Sequence, residues 1–332
     1  MKALPPLSML GALLLSSTAL AALGVAVGST GWSPWWSAGA DGGGASILWD
    51  IRAPRSLGAW LAGALLGLGG AVAQGLFRNP LADPYLLGSG SGASLGVAVL
   101  LILLGGSPAA ASWALRFGLT GAAFAGAVLG VWLTLLLARG VQHTLRLLLA
   151  GVVVGVVLGA GKDLALLWVP DIMRAMQAFM LGSTGFLGWS SVAVLAVALA
   201  LCLAVGLACS RALDAWTLGE SAALSLGVRL AAMRVLLVGT LALATGAAVA
   251  QAGLIAFVGL VAPHLVRGRV HTTHGRLLVL SAATGGALLL AADIVARWAF
   301  APQELPVGVL TAVLGGGYLL WRMHRGPAAR TA

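Results

Sequence analysis

The chain has 332 residues, 60% of them hydrophobic, and a further 48 are glycine. Only 8% carry charge and the mean hydropathy is +1.02, whereas a soluble domain is roughly 25% charged. That excludes a water-soluble globule, because too few polar residues exist to cover it. The apolar runs are continuous, which disfavours a transmembrane barrel, whose strands alternate in segments of about ten residues. The fold class expected is therefore all-α, a polytopic membrane protein with one transmembrane domain over residues 1–332. The net charge of +10 does not point to nucleic acid. The basic residues form no stripe or tail but sit between apolar runs, where topology signals lie.

The first run, 7–29, follows Lys2. It reads as a retained span rather than a signal peptide, whose apolar region is usually about 7–15 residues. Further runs lie near 57–77, 86–105, 117–138, 147–168, 190–210, 234–251, 254–266, 277–292 and 306–321. These make about ten spans, the eighth short enough to be half-inserted or joined to a neighbour. Gly63/Gly67, Gly126/Gly130 and the ladder Gly151, Gly155, Gly159 all recur at four-residue spacing, which lets helices approach closely in lipid. Cys202 and Cys209 share one run. Seven helical residues separate them by roughly 10 Å, too far for a disulfide.

With the N-terminus inside, alternation places 13 basic residues inside and 6 outside, the excess expected of cytoplasmic loops. Both termini are then cytoplasmic, with a tail over 322–332. Asp83, Asp214 and Glu220 are the acids on the inner side. The longest inner stretch, 211–233, reads as one or two short helices at the membrane surface. Its composition fits interfacial packing and a partner-binding knob equally.

Three strings mimic catalytic motifs. Gly159-Ala-Gly-Lys162-Asp163 resembles the end of a phosphate loop, but Val156 and Asp163 stand where Gly and Ser/Thr are needed. Gly92-Ala-Ser94-Leu-Gly96 matches a nucleophile elbow. It lies in a span, and the five histidines (143, 264, 271, 274, 324) fall in or beside cytoplasmic segments. His271 and His274 suit a metal pair by spacing alone, without a convincing third ligand, and a solvated loop is the simpler reading.

Charges in a bilayer are costly and mark cavities or partners. Lys162 and Asp163 lie about 23 Å from the inner end of the fifth run at 1.5 Å per residue. Adjacent helix positions point about 100° apart, so each is expected to use water or another helix rather than its neighbour. Both snorkelling to the outer interface and lining an outward cavity fit. Arg52 and Arg55 flank Pro54 before the second run, and Arg297 follows Asp293 by one turn. They fit local ion pairing or an outer patch that receives carboxylates.

A longer set of residues resembles FecCD-type permeases, the membrane subunits of ABC importers for iron–siderophore complexes, haem and cobalamin. It comprises Arg52-Ala-Pro54-Arg55, Gly63-Ala64, Gly69, Gln74, Arg78-Asn79-Pro80-Leu81-Ala82-Asp83-Pro84, Leu87-Gly88 and Gly92-Ala93. It continues through Arg146-Leu-Leu-Leu-Ala150-Gly151-Val152, Leu181-Gly182-Ser183, Leu218-Gly219-Glu220 and Leu226-Gly227. The last blocks are Gly253 to Gly259, Leu260 to Arg267, Ala292-Asp293-Ile-Val-Ala-Arg297 and Glu304-Leu-Pro306-Val-Gly308. The blocks are collinear over about residues 50–310. Two departures stand out: Lys162-Asp163, where the family is mostly apolar or small polar, and Gly315-Gly-Gly-Tyr318, which replaces Gly-x-Pro-x-Phe.

The resemblance implies the type II ABC importer fold, with ten helices, in a homodimer enclosing a central path. The partners implied are two cytoplasmic ATPases, a periplasmic or tethered binding protein and membrane lipid, with the chain in the cell inner membrane. No cofactor is implied on this chain; ATP and magnesium belong to the ATPases. By match to the family, Arg52, Arg55 and Arg297 receive the binding protein. Leu218, Gly219, Glu220, Ala223, Leu226 and Gly227 belong to the segment that docks in the ATPase. Asn79, Pro80, Leu81, Thr144 and Leu145 narrow the inner end of the path. Gly151, Gly155, Gly159, Lys162 and Asp163 are assigned to the path itself. An autonomous secondary transporter or channel is the alternative; it needs ion-coupling acids in mid-span, and the only candidate, Asp163, sits far outward.

Overall fold

A computed structural model describes residues 5–28, 31–32, 44–104, 113–138 and 144–324. Lys2, His143 and the tail beyond residue 324 lie outside the described residues. Within them the chain forms α1 (Pro6–Ala26), α2 (Ala53–Phe77), α3 (Ser89–Leu103), α4 (Trp113–Leu137) and α5 (Thr144–Trp168). There follow α6 (Met173–Leu181), α7 (Trp189–Ala208), α8 (Ser210–Thr217), α9 (Glu220–Ser225) and α10 (Leu230–Ala252). The last three are α11 (Val258–Arg267), α12 (His274–Trp298) and α13 (Val307–His324). A two-residue hairpin, Val27–Gly28 against Gly31–Trp32, follows α1, and a wide helical turn, Ile47–Arg52, leads into α2.

Seven of these segments are long and apolar enough to cross a membrane, and α3, α11 and α13 are shorter apolar helices. Each of the ten apolar runs therefore contains a helix. The eighth run is short for a local reason. Gly253 and Phe257 take positive φ of 71° and 67°, so 253–257 cannot be helical and only ten residues remain in α11. The nine-residue α6 lies between the fifth and sixth runs and was not expected.

The centre of the bundle is α2, with 89% of its apolar window buried. Leu65, Leu66, Leu68 and Leu76 of α2 pack in one core with Leu237, Leu241 and Ala244 of α10 and Leu278 and Leu289 of α12. Lipid is as apolar as leucine, so close packing rather than water exclusion holds these faces. Glycine makes the approach possible. Cβ atoms on Gly63 and Gly67 would lie 2.3 Å from Gly285 O and 2.2 Å from Ser281 O of α12. A Cβ on Gly70 would lie 1.6 Å from Gly259 O of α11. Pro263, four residues after Gly259, has no N–H to give that carbonyl, and the carbonyl abuts Gly70 instead.

A second seam joins α3 to α4, where Cβ atoms on Gly92 and Gly126 would each lie 2.1 Å from the other's carbonyl oxygen. The Gly92–Gly96 string is thus a helix crossing, not a nucleophile elbow. The string at 159–163 lies inside α5, which removes the phosphate loop.

Candidate sites at the two ends of the bundle and along α5

At one end, the C-terminus of α1, the N-terminus of α2 and the C-terminus of α12 converge on Asp293. Arg55 donates through Nε and Nη2 to Asp293 Oδ1 at 3.2 and 3.1 Å. Arg55 Nη1 donates to Glu304 Oε1 at 2.9 Å. Thr184 Oγ1 donates to Asp293 Oδ1 at 2.5 Å. Arg297 Nη2 reaches Asp293 Oδ2 at 2.5 Å. Two cations and two carboxylates thus balance. Arg297 Nη1 also donates to Gly24 O and Val27 O, and Arg52 Nη1 to Val25 O and Ala26 O. Both guanidiniums therefore satisfy carbonyls left open at the end of α1, where cations are favoured.

Arg52, Arg55 and Arg297 are brought together, but turned inward, at 8%, 8% and 1% exposure. Within this chain the end of α1 and two acids hold the three guanidiniums. The local pairing of Asp293 with Arg297 is present. Thr184 and Glu304 complete the cluster, and no spacing rule in the sequence links them to it.

At the other end, α8 and α9 form the expected pair of short helices. Gly219 and Gly227 have φ of 110° and 78°, with no atom within 4 Å of an added Cβ at either. Glycine is used there for the backbone turn alone. Ala223 is buried, whereas Leu218, Leu224 and Leu226 are 68%, 55% and 65% exposed, leaving an apolar knob. Glu220 accepts from Arg234 Nη2 of α10 at 3.2 Å, and Arg234 Cζ lies 4.6 Å from the centre of the Trp216 ring of α8. Asp214 Oδ1 of α8 lies 2.7 Å from His274 Nδ1 and accepts from His274 N at 2.9 Å, at the start of α12. His274 is buried and hydrogen-bonded to Asp214, so the solvated-loop reading fails for it. Among the described residues no cluster suits a metal. Sequence reasoning missed Trp216, Arg234 and the Asp214–His274 pair; only the position of two acids inside a basic segment pointed towards them.

The turn Arg78–Leu81 is exposed, and Asn79 Oδ1 accepts from Leu81 N at 2.9 Å. Half-buried Asp83 accepts from Tyr85 N at 2.8 Å, and burial raises its carboxyl above the usual range despite that bond. The same loop meets α5, since a Cβ on Gly151 would lie 2.0 Å from Leu86 O. Gly155 is loosely packed and Gly159 has no neighbour within 4 Å. Thr144 starts α5, and its side chain lies outside the described residues. Leu145 is 71% exposed, and Leu149, Val152, Val153, Val156 and Leu164 continue that bare face. Lys162 Nζ lies 2.7 Å from Asp163 Oδ1, with Met180 Sδ at 3.6 Å. The expectation that these neighbours would not pair is corrected: the long lysine stem curls back to the adjacent carboxylate.

The FecCD transport family description matches residues 13–325. The chain belongs to that family. BtuC, the vitamin B12 import system permease protein of Salmonella paratyphi A, is 40% identical over 280 residues, 83% of this chain and 82% of that one. HmuU, the hemin transport system permease protein of Yersinia pestis, is 41% identical over 281 residues, with the same coverage. A solved metal-chelate type ABC transporter in an inward-facing conformation matches with TM-score 0.84 and 28% identity, over 97% of this chain and all of that one. PsaBC from Streptococcus pneumoniae shares the fold, at TM-score 0.58 and 16% identity over 82% of this chain and 92% of that one. This FecCD chain is a multi-pass membrane transport subunit.

Proposed function

We propose that the chain is the permease subunit of a binding-protein-dependent ABC importer, carrying a metal chelate across the cell inner membrane. The cargo class is an iron chelate (siderophore or haem) or cobalamin. The observation that carries this reading is near-equal identity, 40% and 41%, to a vitamin B12 permease and a hemin permease. Two copies enclose a path that includes the bare face of α5. That face is mostly leucine and valine, which suits a bulky cargo that must be released rather than held.

Energy comes from two ATPase subunits seated on α8 and α9, whose exposed Leu218, Leu224 and Leu226 supply an apolar contact. Closure of the ATPase pair pushes that knob. Glu220–Arg234 passes the push to α10 and Asp214–His274 passes it to α12. The bundle then changes access as a rigid-body, two-state shift. The binding protein docks at the opposite end, where Arg52, Arg55 and Arg297 act by holding three helix ends in place. ATP and magnesium belong to the ATPases and both termini are cytoplasmic.

The test is uptake into vesicles that contain this chain, its ATPase and its binding protein, with labelled cobalamin, haem and a ferric siderophore as separate cargoes. ATP-dependent accumulation of one of them is expected. Accumulation without the ATPase would overturn the reading.

A further inference from the structure

Beside the α8–α9 knob lies a groove of about 500 Å³, formed where α7 runs into α8 and where the segment after α9 enters α10. Its walls include Ala212, Ala215, Met233 and Leu236, and its basic groups are Arg211 and Arg229. Among the described residues neither arginine side chain has a hydrogen bond or ion pair. The inner-side acids are committed elsewhere: Asp83 caps Tyr85 N, Asp214 holds His274 and Glu220 holds Arg234. The protein supplies a carboxylate to Arg234 close by, yet none to these two. Both side chains are exposed, so any anion that pairs with them comes from outside the chain.

The groove's surroundings indicate which anion. Its apolar wall continues into uncovered helix faces, with Leu201 and Leu207 of α7 and Val235 and Leu236 of α10 between 43% and 56% exposed. An acyl chain lying along those faces would bring its headgroup to the arginines at the end of the spans. Basic pockets of this kind between apolar helices suit anionic headgroups. We propose that the groove binds one anionic phospholipid, its phosphate between Arg211 and Arg229 and its chains against α7 and α10. Leu226 lines the groove as well as the knob, so the lipid would brace the segment assigned above to ATPase docking. The binding step itself depends on neither transport nor orientation.

The test uses the purified full chain in detergent, with phosphatidylglycerol or phosphatidylcholine added and lipid retention read by native mass spectrometry. Arg211→Gln with Arg229→Gln is the test variant. Arg276→Gln is the control, an exposed arginine outside the groove. Phosphatidylglycerol is expected to bind in preference to phosphatidylcholine. Its affinity should fall about thirty-fold in the double variant, while the control and the double lysine variant keep it. Equal retention of both lipids by the unaltered chain would overturn the proposal, as would a double variant no weaker than the control. Inorganic phosphate binding as tightly as the lipid would also overturn it, by making the groove a plain anion site. A double variant that keeps the lipid but loses the ATPase would assign the arginines to the subunit interface instead.

Discussion

Asp293 and Arg297 stand one helical turn apart on α12, with 2.5 Å between carboxylate and guanidinium and at most 1% of either side chain exposed. Asp293 also holds Arg55 and Thr184. Removing it leaves two buried cations short of a partner, the situation in which a broken buried pair costs about 3–5 kcal/mol. Asp293→Ala is therefore expected to lower the thermal midpoint in detergent sharply, or to leave little folded protein. A midpoint equal to that of the unaltered chain would refute the structural role given to this cluster.

Gly70→Ala sets a methyl group 1.6 Å from the Gly259 carbonyl. Neither backbone can yield easily, so destabilisation of about 1–3 kcal/mol or more is expected. Gly159→Ala meets no atom within 4 Å and should stabilise α5 by up to about 1 kcal/mol. Differential scanning fluorimetry of the two variants checks the contrast; equal midpoints would count against the glycine seam.

Glu220→Arg places a like charge against Arg234. ATP-driven uptake should fall while ATP hydrolysis continues, as expected of a loosened link between α9 and α10. Adding Arg234→Glu, which restores opposite charges, should recover part of the uptake. A single variant with normal uptake would remove Glu220 from the coupling route.

Lys162→Ala removes the amine that holds Asp163. The expected result is an altered apparent KM for cargo with the fold retained, because α5 is assigned to the path. Unchanged uptake kinetics would leave the pair with the role of anchoring α5 at the interface.

Asp83 has a carboxyl raised by burial above its ordinary 3.8. In the interval above that value the folded chain binds more proton at this site than the unfolded chain does. Stability from this group therefore declines as pH rises through the interval and levels off once the folded carboxyl has ionised. Asp83→Asn should flatten that part of the midpoint-against-pH curve. An identical curve would show that Asp83 does not contribute to it.

Hydropathy made the ten apolar helical segments legible, seven of them long enough to cross a membrane, because lipid requires apolar helices whatever their neighbours are. The short eighth run was visible in its length, although not the positive φ at Phe257 that shortens it. The nine-residue α6 escaped because Arg174 and Gln177 interrupt its apolar pattern. Side-chain direction was the main loss. Whether Arg297 points to solvent or to the bundle depends on the end of α1, some 270 residues away, and no local pattern carries that. Lys162 was misread because helix geometry was applied to Cβ directions, whereas four methylenes let the amine reach its neighbour.

Gly63, Gly67 and Gly70 bring three backbones together with no side chain between them. Helices in that state have no lubricant: they cannot slide, because each carbonyl is already lodged against the next main chain. The trio α2, α11 and α12 is consequently expected to swing as a single cog, and α5, whose Gly155 and Gly159 are open, to shift more readily against it.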